Sequence, residues 1–129
     1  MGQSFNPASI AVLVVEDDAL LRAEAVDLSM EAGFTTHEAR NADQAIRLLE
    51  CHSEIRVLFI DIEMGGSMEG LRLAHAVRER CPSVGIMVTS GRRKKRREDL
   101  PENGLFFAKP YPPDDIVKVL NGIAAQVMG

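Results

Sequence analysis

Short hydrophobic runs alternate with helical patterns along the whole of the 129-residue chain. A run of consecutive apolar residues with polar neighbours is typical of a strand buried on both faces of a sheet. The segments predicted as strands are Ile10–Val15, Phe34–Ala39, Arg56–Ile62, Val84–Thr89 and Leu105–Ala108. The pattern therefore predicts five strands, of which Phe34–Ala39 is the most polar.

Helices are predicted between these strands because apolar residues recur there every three or four positions. The predicted apolar faces are Leu21–Ala32, Ala42–Leu49, Leu71–Val77 and Ile116–Val127, and a short charged helix is predicted around Glu98–Asp99. Asp18 and Asn41 are suited to cap the first two helices, and Gly33 is suited to end the first. The segment Met64–Gly70 is predicted to be a loop.

This alternation amounts to five βα units. It is typical of a parallel sheet with helices on both faces and right-handed crossovers. The length fits one domain, since domains commonly have about 100–200 residues. We therefore expect residues 1–129 to form a single α/β domain with a doubly wound, five-stranded parallel sheet.

The composition is that of an ordinary globular protein, with 46% hydrophobic and 26% charged residues. No membrane segment is expected, because a span needs about 20 apolar residues in succession. Cys51 and Cys81 are interpreted as reduced thiols of a cytoplasmic protein, with neither a disulfide framework nor a zinc site. His37, His52 and His75 lack metal-like spacing and are interpreted as surface residues.

The net charge of −4 hides a local excess of basic residues. The run Arg92–Arg97 contains six of the 15 lysines and arginines. It is interpreted first as a solvated charged turn, while docking to an acidic partner or to nucleic acid remains open. Because the rest of the chain is acidic, nucleic-acid binding by the whole domain is not expected.

Polar residues follow or end four of the predicted strands on one side of the sheet: Glu16, Asp17, Asp61, Thr89 and Lys109. Sites in open parallel sheets lie at the carboxyl ends of the strands. Each residue taken alone could be a turn former, a helix cap or an ordinary strand or surface residue. Their coincidence at one edge, with complementary chemistry, favours a functional site.

Carboxylates gathered at one place repel each other and require a cation among them. Oxygen ligands without His or Cys suit Mg²⁺ or Mn²⁺. The metal ion and Lys109 could neutralise phosphoryl oxygens, Thr89 could donate a hydrogen bond, and a carboxylate could be the nucleophile. This combination of groups favours phosphoryl transfer.

Four motifs together resemble the CheY-like receiver domain of two-component response regulators. They are Val14-Val15-Glu16-Asp17-Asp18, Phe59-Ile60-Asp61-Ile62-Glu63-Met64, Val88-Thr89-Ser90-Gly91 and Phe107-Ala108-Lys109-Pro110-Tyr111. The resemblance covers roughly residues 10–127 and implies a flavodoxin-like sheet of strand order 2-1-3-4-5. A stand-alone single-domain receiver is expected, because only two residues follow the last predicted helix.

The resemblance implies a role for each residue at the predicted edge. Asp61 would accept a phosphoryl group from a histidine kinase or a histidine phosphotransfer protein. The Mg²⁺ ligands would be Glu16, Asp17, Asp61 and the backbone carbonyl of Glu63. Thr89 would hydrogen-bond to the phosphoryl group and Lys109 would pair with it.

The switch residues implied by the resemblance are Thr89 and Phe106. A phenylalanine lacks the hydroxyl that a tyrosine would offer at this position, although its ring could still rotate. The loop after Asp61 also departs from the family, because Gly65 stands where a proline is usual and the matching Gly70 comes one residue late. This departure bears on the stiffness of the loop and hence on the rate of phosphoryl entry or loss.

The favoured function is a phosphorylation-controlled switch whose output is contact with an unknown downstream protein. A phosphate sink and a receiver cut from a hybrid kinase or longer regulator remain open, as does dimerisation. An aspartate-nucleophile phosphatase is disfavoured because its Asp-x-Asp motif should follow the first strand. A flavin carrier is disfavoured because Glu16-Asp17-Asp18 would repel the flavin phosphate. No turnover is expected beyond Mg²⁺-dependent self-phosphorylation and autodephosphorylation.

Overall fold

Five parallel strands form the centre of the computed structural model, which describes residues 10–61, 69–90, 99–109 and 111–128. The strands are β1 (Ala11–Val15), β2 (Thr35–Ala39), β3 (Ile55–Asp61), β4 (Gly85–Ser90) and β5 (Leu105–Ala108). Their order in the sheet is β2-β1-β3-β4-β5, and every neighbouring pair is parallel. The predicted fold class and strand order are therefore confirmed.

Four helices are present in the described residues, namely α1 (Ala19–Glu31), α2 (Ala42–Cys51), α3 (Glu69–Arg80) and α4 (Pro113–Met128). Both predicted caps are confirmed, since the Asp18 side chain accepts from the backbone of Leu20 and Leu21, and Asn41 accepts from Gln44. Gly33 follows α1 with a positive φ of 95°, which glycine adopts at little steric cost. Of the helices in the described ranges, none is long and apolar enough to cross a membrane.

The start of α3 corrects the predicted loop. Glu69 and Gly70 belong to the helix, whereas Met64 to Met68 lie outside the described residues. Gly70 is buried next to Leu71, so tertiary packing outweighs the poor helix propensity of glycine at this position. The run Arg92–Arg97 and most of the charged helix predicted around Glu98–Asp99 also lie outside the described residues.

Two apolar layers enclose the sheet. One face packs against α2 and α3 through residues such as Leu13, Leu58 and Ile86, and the other packs against α1 and α4 through Val12 and Phe59. All five residues of β1 are buried, because both faces of this central strand are covered. The two core layers hold the sheet between the helices.

The strand register brings the carboxyl ends of the strands to one level. Val15 pairs with Ile60, Asp61 pairs with Thr89, and Val88 pairs with Phe106. Glu16 directly follows β1 and Lys109 directly follows β5. Consequently, the polar residues that follow or end these four strands lie along a single edge.

Candidate functional site

Two hydrogen bonds hold Glu16 in place, one through its backbone and one through its side chain. Its backbone N–H donates to the carbonyl of Ala39 at 3.0 Å, and its Oε2 accepts from the backbone N–H of Asp18 at 3.1 Å. The side chain points inward, since only 5% of the residue is exposed. A carboxylate is thereby fixed at the end of β1, directly before the α1 cap.

Arg22 of α1 braces the same loop from outside. Its Nη1 donates to the carbonyl of Glu16 at 3.0 Å, and its Nε donates to Glu38 Oε1 at 3.0 Å. The guanidinium therefore ties the loop after β1 to the edge strand β2. This role could not be predicted from the sequence, because Arg22 lies about one helical turn after the carboxylates and matches no motif.

Asp61 and Lys109 form the shortest ion pair described at this edge. Asp61 is the last residue of β3 and is 8% exposed, and Lys109 Nζ donates to its Oδ2 at 2.7 Å. The same ammonium lies 3.5 Å from Glu16 Oε1. Lys109 is positioned by its own backbone N–H, which donates to the carbonyl of Ser90 at 2.9 Å. One lysine thus faces two buried acids.

The charge balance of this pocket is negative. Burial, followed by a hydrogen bond with Asp61 and repulsion from it, raises the pKa of Glu16 to about 7, although the backbone N–H donated by Asp18 lowers it. Burial lowers the pKa of Lys109. The net shift is nevertheless upward, because Lys109 donates a hydrogen bond to Asp61 and is attracted by both acids. The pocket can therefore accept more positive charge than one ammonium supplies.

The acidic residues fit a hard divalent cation. Glu16 and Asp61 point into one pocket, and Asp17 hydrogen-bonds to Glu16 through its side chain. Carboxylate oxygens are the ligands that Mg²⁺ prefers. The pKa of Glu16 is raised mainly because burial disfavours its charged form, and a cation bound beside it would offset that cost. Glu63, the remaining predicted ligand, lies outside the described residues.

A cleft of about 730 Å³ opens from this pocket along α1. Its lining includes Glu16, Asp61, Thr89 and Lys109, which the sequence predicts as site residues, and also Tyr111. Thr89 is buried and lies beside Asp61 in the sheet. The Tyr111 ring lies 6.5 Å from that of Phe59. The cleft therefore joins the four charged or hydroxyl-bearing side chains to an apolar wall.

Phe106, the predicted switch aromatic, lies on β5, two strands away from β3, which carries Asp61. It is partly buried on β5 and packs against the core layer that contains α2 and α3, whereas Phe107 packs against the opposite layer. Val88 is its partner in the register, so Phe106 neighbours the strand that carries Thr89.

The fold also brings together two histidines that the sequence analysis treats as separate surface residues. His37 of β2 and His52 at the end of α2 both lie against Glu54, and their ring centroids are 4.3 Å apart. Their separation of 15 residues in the sequence matches no metal motif, so only the tertiary structure reveals this cluster.

Comparison of the sequence with known proteins identifies the family of this chain. The model of the response regulator receiver domain family matches residues 12–121. Protein PetR of Rhodobacter capsulatus is 29% identical over 119 residues, which are 90% of this chain and 49% of that protein. Sensor kinase CckA of Brucella abortus is 28% identical over 106 residues, or 81% of this chain and 11% of that protein. The chain thus spans about half or less of these curated relatives.

A solved structure supports the same assignment at the level of fold. The response regulator receiver protein from Sinorhizobium medicae superposes with a TM-score of 0.83 at 19% identity, covering 92% of this chain and 97% of that one. With the match to the family model over most of its length, the chain belongs to the response regulator receiver domain family of two-component signalling.

Proposed function

We propose that this receiver domain is a phosphorylation-controlled switch and that Asp61 is its phosphoacceptor. The observation that carries the proposal is the contact of 2.7 Å between Lys109 Nζ and the buried Asp61 carboxylate at the end of β3. A nucleophile at this position can be reached through the cleft that Thr89 and Lys109 also line. The donor is the phosphohistidine of a histidine kinase or histidine phosphotransfer protein.

Mg²⁺ is the cofactor in this proposal, and Mn²⁺ is an acceptable substitute. Glu16, Asp17 and Asp61 would hold the ion, together with the backbone carbonyl of Glu63. When bound, it supplies positive charge to the oxygens of the transferred group. The raised pKa of Glu16, which burial causes first and the neighbouring Asp61 increases, supports this part of the proposal because a bound cation would offset both effects.

The chemical step requires three side chains of this chain. An Asp61 carboxylate oxygen forms a bond to phosphorus while the bond from phosphorus to the donor histidine nitrogen breaks, and the freed imidazole leaves with the bonding electrons. The Lys109 ammonium moves its hydrogen bond from the carboxylate to a phosphoryl oxygen. The Thr89 hydroxyl donates to another phosphoryl oxygen. Both contacts oppose the negative charge that arrives with the group.

The output follows from the position of these contacts in the sheet. Thr89 lies on β4 and Phe106 lies on the neighbouring strand β5. Movement of Thr89 toward the phosphoryl group changes the space beside Phe106, whose partly buried ring then repacks. The altered face of β5 is read by a downstream protein, so output occurs through protein–protein contact.

Labelling with acetyl phosphate tests the assignment of Asp61. We expect a hydroxylamine-labile phosphoryl adduct that requires Mg²⁺, is observed by intact-protein mass spectrometry, and is lost in Asp61→Asn. Asp43→Asn is the matched control, because Asp43 lies in the first turn of α2 and is not among the residues that line the cleft. An equal adduct in Asp61→Asn would reject the assignment. Continuous release of phosphate from small phosphate esters would instead indicate a phosphatase.

A further inference from the structure

A second cluster of metal-ligating side chains lies away from the proposed phosphoacceptor pocket. It consists of His37 on β2, His52 at the C-cap of α2, and Glu54 in the turn before β3. Glu54 precedes β3 and Asp61 ends it, so about 23 Å of extended strand separates the two carboxylate positions. The cluster is therefore distinct from the acidic pocket.

The distances from the two imidazole nitrogens to the Glu54 carboxylate are those of ligands around one ion. His37 Nε2 lies 3.3 Å from Glu54 Oε2, and His52 Nδ1 lies 3.2 Å from the same oxygen. Two ligands of a tetrahedral ion with bond lengths of about 2.1 Å are about 3.4 Å apart. Hydrogen bonds between a charged imidazole and a carboxylate are shorter, at about 2.7–2.9 Å. The distance from His37 Nε2 to Glu54 Oε2 is also that of a long hydrogen bond, which a bound ion would replace.

The donor set selects the class of metal. Two imidazole nitrogens and one carboxylate suit Zn²⁺ and neighbouring transition metals, whereas Mg²⁺ prefers oxygen ligands. All three donor atoms lie within 4.8 Å of one another. The side chains of His37, His52 and Glu54 are 21%, 38% and 45% exposed, so an ion can reach them from solvent.

We propose that His37, His52 and Glu54 form a site for a divalent transition metal ion, with Zn²⁺ as the ion to test. Three protein ligands leave a fourth position for water. The bound ion links β2, the end of α2 and the turn before β3. Zn²⁺ therefore stabilises the folded chain, because it binds the assembled cluster and not the unfolded one.

Calorimetric titration with Zn²⁺ in saturating Mg²⁺ tests this site, because Mg²⁺ then occupies the acidic pocket. We expect one Zn²⁺ per chain and at least about tenfold weaker binding in His37→Ala, His52→Ala and Glu54→Gln, since even the loss of an outer partner of a metal ligand costs that much. His75→Ala is the matched control. His75 is exposed, and its Nε2 lies 2.9 Å from the carbonyl of Asp99.

Two further readouts separate this site from the proposed phosphoacceptor and from misfolding. Co²⁺ bound at the site should give visible absorption that Glu54→Gln, a change that preserves size, abolishes. All three variants should still accept the phosphoryl group from acetyl phosphate. Zn²⁺ affinity that is unchanged in these variants, that is lost in Asp61→Asn, or that is absent in the wild-type chain would overturn the proposal.

Discussion

Lys109 stands between two acids whose charges it cannot fully balance. It contacts Asp61 at 2.7 Å and Glu16 at 3.5 Å, and both carboxylates are buried. Burial and the neighbouring Asp61 together raise the pKa of Glu16 to about 7. A proton and a metal ion therefore compete for the same negative charge.

This competition predicts a pH-dependent stability. The pKa of Glu16 is raised in the folded chain, so its stabilising contribution is complete below about 4.5 and is lost as the pH rises through about 7. In EDTA, urea unfolding should give a free energy that declines across this window. In Glu16→Gln, the part of this decline in the free energy of unfolding that Glu16 causes should disappear. In the wild-type protein, added Mg²⁺ should make the decline smaller. An identical pH dependence in both proteins would contradict the prediction.

At the scale of the residue, the side chains of the candidate site can be predicted from the sequence, whereas the residues that orient them cannot. Glu16, Asp61, Thr89 and Lys109 were predicted from their positions after apolar runs, and the structure brings them to one cleft. Arg22 could not be predicted, since its contacts to Glu16 and Glu38 depend on how α1 packs beside β2. Motifs record the groups that perform chemistry, whereas the residues that orient them vary with tertiary context.

At the scale of the element, the residues that cap helices can be predicted from the sequence, but the burial of a polar residue inside a helix cannot. Ser29 lies on the inner face of α1 and is fully buried. Its Oγ donates a hydrogen bond to the carbonyl of Ala25 at 3.0 Å. A hydroxyl that is satisfied within its own helix can occupy a core position, although its polarity suggests an outer face. The predicted apolar face of α1 is also wrong at Leu21, which is 40% exposed, so the apolar pattern alone describes α1 incompletely.

The α2 cap provides a test that does not touch the site. Asn41 accepts from the backbone N–H of Gln44 at 2.8 Å, and the Gln44 side chain accepts from the backbone of Arg40 at 2.9 Å. Asn41→Ala should lower the free energy of unfolding by about 1 kcal/mol, because a helix donor loses its partner. Asn41→Ser should retain most of the stability. Equal losses in both variants, measured by urea titration, would show that the cap is not the cause.

At the scale of the whole molecule, a parallel sheet covered on both faces determines the fold. The sequence predicts this architecture because a run such as Ile10–Val15 has no polar face to turn toward water. Strand ends shifted by about one residue between prediction and structure, since hydrogen-bond register and not hydrophobicity sets them. The pairing of His37 with His52 required the sheet order itself, which places β2 beside β1 and brings the turn before β3 within reach.

The central position of β1 predicts where the molecule is most sensitive to loss of packing. Leu13 is fully buried in the middle of this strand, whereas Leu20 of α1 is 70% exposed. Leu13→Ala should lower the free energy of unfolding by about 2–5 kcal/mol, because it removes buried apolar contacts and leaves a cavity. Leu20→Ala should change it by less than about 0.5 kcal/mol. Similar unfolding midpoints for the two variants in denaturant would refute this expectation.

The attachment of Lys109 to β5 has a mechanical consequence. Its acidic partners extend from β1 and β3, which have neighbours on both sides, whereas β5 pairs only with β4 among the described strands and its side chains are only partly covered. A force between the ammonium and the acids is therefore expected to move β5 more readily than β1 or β3. Any event that redistributes charge in the pocket will displace the outermost strand before it disturbs the interior, and the molecule's surface will change while its centre stays rigid.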